Sequence, residues 1–129
     1  MSVRVDLPQW PWQPVRVQAR ERGVSVWPVG GVVRDALLGR PLHDWDFAVE
    51  RDAVGLARAV ADAIGGAFFP LDEARDTARV VLRDGEGQQL ELDFAGLRGP
   101  NLIADLKGRD FTLNAMAVGP EGELIDPLG

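Results

Sequence analysis

The apolar positions along the chain change period several times, and each change marks an element. Through Pro14 the chain carries three prolines and two tryptophans, which predicts an irregular lead-in whose aromatic rings pack on the rest. Val15 to Arg22 then read as a short helix, ended by Gly23. Val24 to Val29 are β-branched or aromatic for most of their length, the pattern of a buried strand. Directly after Gly30-Gly31, the apolar residues Val32, Val33, Ala36 and Leu37 recur at helical spacing, and Gly39 with Pro41 stops them.

The period then becomes two. From Asp44 to Val49 the pattern predicts a strand with Asp44, Asp46 and Ala48 on one face and Trp45, Phe47 and Val49 on the other. Asp52 is a candidate N-cap for a helix reaching Ile64, in which Val54, Ala57, Val60, Ala61 and Ile64 form an apolar stripe closed by Gly65-Gly66. Beyond a short segment at Ala67 to Leu71, strands are expected at Thr77 to Leu82 and Gln88 to Phe94. A glycine-containing turn at Asp84 to Gly87 joins them as a hairpin. In the second of these, Leu90, Leu92 and Phe94 face one side and Glu91 and Asp93 the other. A short helix at Leu102 to Leu106 and a last apolar stretch at Ala115 to Val118 complete the chain. The order of elements predicts an α/β fold in a single domain, and the hairpin argues against an all-parallel sheet.

Composition narrows the chemistry. A length of 129 residues with 46% apolar content supports one modest core. There is no cysteine, which excludes disulfides, a thiolate nucleophile and a cysteine-ligated zinc site, and the single histidine, His43, cannot build a zinc site alone. No apolar run approaches the roughly 20 residues that span a bilayer, and the first residues lack the apolar core of a secretion signal, so the cytoplasm is the expected compartment. A formal charge of -6 argues against a broad grip on nucleic acid, so RNA, if it is a partner, is expected to be held by something else.

Two acids separated by one strand residue project side by side, and Asp44 and Asp46 therefore repel unless a cation or a shared proton compensates. A divalent metal with hard oxygen ligands is the simplest compensation, and the alternative is a solvated sheet face. Between a strand and a helix, Gly30 and Gly31 let backbone N–H groups approach phosphate oxygens. Arg34, close by, either forks onto a triphosphate or pairs with Asp35 or Asp44. The glycine spacing matches neither the P-loop nor the dinucleotide fingerprint.

The stretch VWPVGGVVRDALLGRPLHDWDFAVE, followed further on by RDFTLNAMAV, resembles the head domain of the bacterial tRNA CCA-adding enzyme and poly(A) polymerase family. That family carries a Gly-Gly-x-x-Arg-Asp segment, then Asp-x-Asp, then Arg-Asp-Phe-Thr-x-Asn. The resemblance runs from about residue 24 to the C-terminus, with residues 1–23 as a lead-in, and implies a nucleotidyltransferase-type mixed sheet packed with helices. It implies that Asp44 and Asp46 bind two Mg2+ ions, with Asp93 as the third carboxylate and Glu91 as the alternative. Gly30, Gly31, Arg34 and Arg109 would lie against the triphosphate, with Asp110 and Asn114 bracing the site. Asp110 could equally be a helix N-cap, Asn114 a buried amide satisfying backbone groups, and His43 a loop or supporting residue.

The implied reaction is metal-dependent, template-independent transfer of a nucleotide from CTP or ATP to the 3′-hydroxyl of RNA, tRNA foremost. Such transfer depends on positioning and electrostatics, which carboxylates, glycines and arginines supply without a Cys or Ser nucleophile. A nucleotide-binding module inactive without a partner, and transfer to a non-RNA acceptor, are the other readings. Two departures stand out. Gly108 precedes Arg109 where relatives carry a second arginine, with Lys107 one step earlier. The helical neck that reads the base in relatives is also missing after Gly129, so the chain reads as a head domain whose RNA grip comes from further domains or a partner protein.

Overall fold

The computed structural model describes residues 3–109 and 115–127. Its elements run α1 (Gln9–Arg22), β1 (Val26–Val29), α2 (Gly31–Leu37), β2 (Asp44–Val49), α3 (Ala53–Ile64), β3 (Ala67–Asp72), β4 (Thr77–Arg83), β5 (Gln89–Gly96), α4 (Leu102–Lys107), β6 (Ala117–Val118) and β7 (Leu124–Ile125). The strands form one mixed sheet in the order β3-β4-β5-β2-β1-β6-β7. Every neighbouring pair is antiparallel except β2 with β5. The single-domain α/β expectation therefore holds, and the hairpin lies at the anticipated turn: Asp84 accepts from the N–H groups of Glu86 and Gln88 through its carboxylate.

Two expectations need correcting. The helix expected from Val15 begins earlier, at Gln9, so much of the proline-rich lead-in is helical. Trp10 has non-helical angles, which makes Pro11 the first regular helical residue and puts Pro14 in the first turn. Pro11 sits where an N–H has no intrahelical acceptor, and Pro14 forgoes only the first bond of the helix, so both are tolerated near this end. The second correction concerns the segment after Gly66: it is the edge strand β3, pairing with β4 although its side chains are mostly exposed. The short strand β7, not anticipated, closes the opposite edge.

One face of the sheet carries the main core. Trp45, Phe47 and Val49 of β2 and Leu90, Leu92 and Phe94 of β5 are buried there under α1 and α3, as the alternating pattern requires. Phe47 stacks against Trp12, Trp45 and Phe94 with ring centroids 4.9–5.8 Å apart, and each such ring adds about 1.5–3 kcal/mol by leaving water. The start of α3 is capped twice. Asp52 accepts from the Gly55 N–H, and Asp76, from the turn before β4, accepts from the N–H groups of Ala53 and Val54 at 2.8 and 2.9 Å. Among the described residues no helix is long and apolar enough to cross a membrane.

The other face is only partly covered. Leu102 and Leu106 of α4 pack on Val29, Ala48 and Ala117. This small cluster shields one end of β1 and β2 and leaves the acidic end of β2 and β5 open.

Candidate active site

A cleft of about 600 Å³ opens on that second face, between the sheet and α4. Its floor holds Asp46 and Asp93, its rim holds Gly30, and Arg98, Asp105 and Arg109 stand on the α4 side. The acids come together through register. In the parallel pairing of β2 with β5, Asp46 lies directly opposite Asp93 and Asp44 opposite Glu91. Side chains opposite one another on a sheet share a face, so the four carboxylates of these two strands form one acidic patch.

Asp46 feels that crowding. Its carboxyl is raised above the usual aspartate range, first because the cleft removes part of its water, then because Asp93 and Asp44 add negative charge. Arg109 and Arg79 offset part of this. Hard oxygen donors in a surplus negative field are what a divalent cation such as Mg2+ satisfies, so the donor set fits one. The carboxylates are not gathered around a single point, however. Among the described residues no three acidic or histidine side chains converge as metal ligands. Asp93 faces Arg79 of β4 instead, accepting from its Nε at 2.8 Å and its Nη2 at 3.1 Å.

At the cleft rim, Gly30 adopts φ 71°, ψ -130°, a conformation essentially restricted to glycine, and its N–H donates to the Met116 carbonyl. Its own carbonyl accepts from the N–H groups of Val33 and Arg34, starting α2. On the α4 side, Asp105 is a buried carboxylate that accepts from the Arg98 N–H at 2.8 Å and from Arg109 Nε at 3.1 Å. A buried acid holding an arginine fixes the direction of its guanidinium.

Of the residues singled out in the sequence, Gly30, Asp46, Asp93 and Arg109 thus meet around the cleft. Asp44 lies next to it on the same strand face, and its charge reaches Asp46. Gly31 and Arg34 do not line it, and Arg34 pairs with Asp35 at 3.2 Å, one of the two alternatives open from sequence. His43 is exposed in the loop before β2, with its carbonyl accepting from the Glu91 N–H. Asp110 and Asn114 lie outside the described residues. Sequence reasoning missed Arg79 and Asp105. Helical spacing was the available signal for Asp105, four residues before Arg109, and counting outward from the hairpin turn was the signal for Arg79.

The profile of the family described as "Poly A polymerase head domain" matches residues 26–129. A CC-adding tRNA nucleotidyltransferase of Geobacter sulfurreducens is 55% identical over 112 residues, covering 86% of this chain and 25% of that protein. An A-adding tRNA nucleotidyltransferase of Deinococcus radiodurans is 50% identical over 101 residues, covering 78% and 22%. The chain thus spans about a quarter of the length of these curated relatives. Among solved structures, a tRNA-processing enzyme in an apo form superposes with a TM-score of 0.81 at 37% identity, over 96% of this chain and 34% of that one. A tRNA nucleotidyltransferase complexed with a primer tRNA and an incoming ATP analog gives 0.75 at 41% identity, over 90% and 34%. With the family profile covering most of the chain and the fold superposing on solved relatives, this chain belongs to the Poly A polymerase head domain family.

Proposed function

We propose that this chain is the catalytic head of an RNA nucleotidyltransferase, acting in the cytoplasm to transfer a nucleotide from CTP or ATP to the 3′-hydroxyl of a tRNA. The observation that carries the reading is the opposition of Asp46 and Asp93 on the floor of a cleft whose far wall presents Arg109. An acidic end and a cationic end across one cleft suit a nucleoside triphosphate, with its phosphates toward Arg109 and its reacting α-phosphate toward the acids. The two curated relatives are tRNA nucleotidyltransferases, and so is a solved structure that holds a primer tRNA and an incoming ATP analog, which supports that substrate class. A head so similar to both a CC-adding and an A-adding relative fits a domain carrying the chemistry common to both.

In this reading Asp44 and Asp46 hold Mg2+, with Asp93 as third ligand and Glu91, opposite Asp44, as the alternative. Bound there, a pair of such ions would acidify the attacking 3′-hydroxyl and neutralise charge on the α-phosphate and the departing pyrophosphate. Asp105 directs Arg109 toward the cleft, and Gly30 keeps the rim free of a side chain, with Gly31 and Arg34 behind it. Asp110 and Asn114 are proposed to brace the same end. Residues 24–129 form the head proper and residues 1–23 its lead-in. The net charge of -6 supports RNA being gripped by other domains or by a partner protein.

Calorimetry of CTP and ATP binding to the 129-residue chain, with and without Mg2+, tests this. Nucleotide binding is expected to depend on Mg2+ and to lose that dependence in the Asp44→Ala/Asp46→Ala double variant. A double variant that binds both as the parent does would overturn the reading.

A further inference from the structure

Arg79 is unusual among the cations near the cleft because it touches the acidic patch directly. Arg109 is bound to Asp105 and reaches Asp46 only through its field. Arg79 sits on β4 directly opposite Asp93 and occupies both oxygens of that carboxylate, with Glu91 a further 3.9 Å contact. Its attraction extends to Asp44 and Asp46 as well. One guanidinium therefore acts on all four acids of β2 and β5, on Asp93 and Glu91 at short range and on Asp44 and Asp46 through its field.

We propose that Arg79 is a built-in counter-ion of this carboxylate site: it holds Asp93 when no divalent cation is bound and competes with that cation for it. The inference rests on the metal reading given above and deepens it. Two parallel N–H···O bonds fill the directions from which a cation would approach Asp93. The Arg79 side chain is 36% exposed, so it can swing toward water without leaving a buried charge behind. Its positive charge also lowers the field that draws a divalent ion to Asp46. Arg79 thus steadies four crowded acids at the cost of weaker cation binding.

Mn2+ titration of the 129-residue chain, read by the electron paramagnetic resonance signal of the free ion, separates this from a merely structural role. Removing one positive charge and freeing both Asp93 oxygens is expected to tighten Mn2+ binding by roughly tenfold in Arg79→Gln. Arg79→Lys, which keeps the charge but gives up the fork, is expected to fall between that variant and the parent. If Arg79→Gln does not fold, as judged by circular dichroism, Arg79→Lys carries the test and must bind Mn2+ more tightly than the parent. A folded variant with unchanged or weaker Mn2+ affinity overturns the proposal, whatever its stability. A parent chain that takes up no more Mn2+ than the Asp44→Ala/Asp46→Ala variant removes the metal reading itself, and this inference with it.

Discussion

Asp46 and Asp93 lie opposite each other across β2 and β5, the one parallel pairing among the described strands. Two acids at neighbouring positions of a sheet work against the fold unless something positive stands between them.

That opposition predicts a pH dependence for the metal-free protein. The Asp46 carboxyl is raised in the fold, by desolvation first and then by Asp93 and Asp44, so the folded state binds the proton more tightly than the unfolded chain. The stability it contributes is fully present below the ordinary aspartate range and is lost as pH rises through the raised value. Asp46→Asn is therefore expected to unfold at a higher urea concentration than the parent at neutral pH, with the gap closing on acidification. A variant less stable than the parent at neutral pH would contradict this.

Removing the buried acid at the other end of the cleft acts on both stability and ligand. Asp105→Ala leaves the Arg98 N–H without its acceptor and Arg109 without its anchor, at about 1–3 kcal/mol. Asp105→Asn keeps a carbonyl oxygen for the N–H and is expected to fold better, yet still to bind nucleotide more weakly, because Arg109 loses its ion pair. Urea melts paired with CTP calorimetry check the two effects separately.

Gly30 is predicted to resist substitution. At φ 71°, ψ -130°, any side chain is strained, and Gly30→Ala is expected to cost about 1–3 kcal/mol in thermal or chemical denaturation. Gly31, a regular residue of α2 in which an added Cβ would meet only the Arg34 guanidinium at 3.5 Å, is expected to accept alanine with a smaller loss.

Asp76 provides a test far from the cleft. It carries two N–H bonds at the start of α3, so Asp76→Ala is expected to destabilise by about 1–2 kcal/mol in urea unfolding, whereas Asp52→Ala removes one backbone N–H bond and an exposed ion pair with Arg22.

The contrast between these two caps shows what was legible in the sequence. Asp52 stands next to its helix and was readable as a cap, while Asp76 reaches α3 from a distant turn and no local pattern announces it. The strands of the core followed from alternation, because one buried face leaves no freedom in which residues point inward. The cleft followed less well. Asp44 and Asp46 were visible as a pair, but what faces Asp46 depends on β2 lying beside β5, a pairing between segments separated by α3, β3 and β4. Arg79 was within reach, since the turn at Asp84 to Gly87 sets the register that puts it opposite Asp93. The early start of α1 was hidden because prolines suggest irregular chain unless they fall in a first turn.

The parallel pairing also bears on the order in which the molecule assembles. Strands β3, β4 and β5 are joined by short turns and can meet while the chain is still largely open, whereas β2 must close a long loop to reach β5. Until that closure Asp46 and Asp93 are far apart, so their mutual repulsion enters only as the two strands dock. If β2 docks last, these acids meet at that step, and Mg2+ added during refolding is expected to speed the final docking without altering the earlier hairpin, which stopped-flow refolding with and without the ion checks.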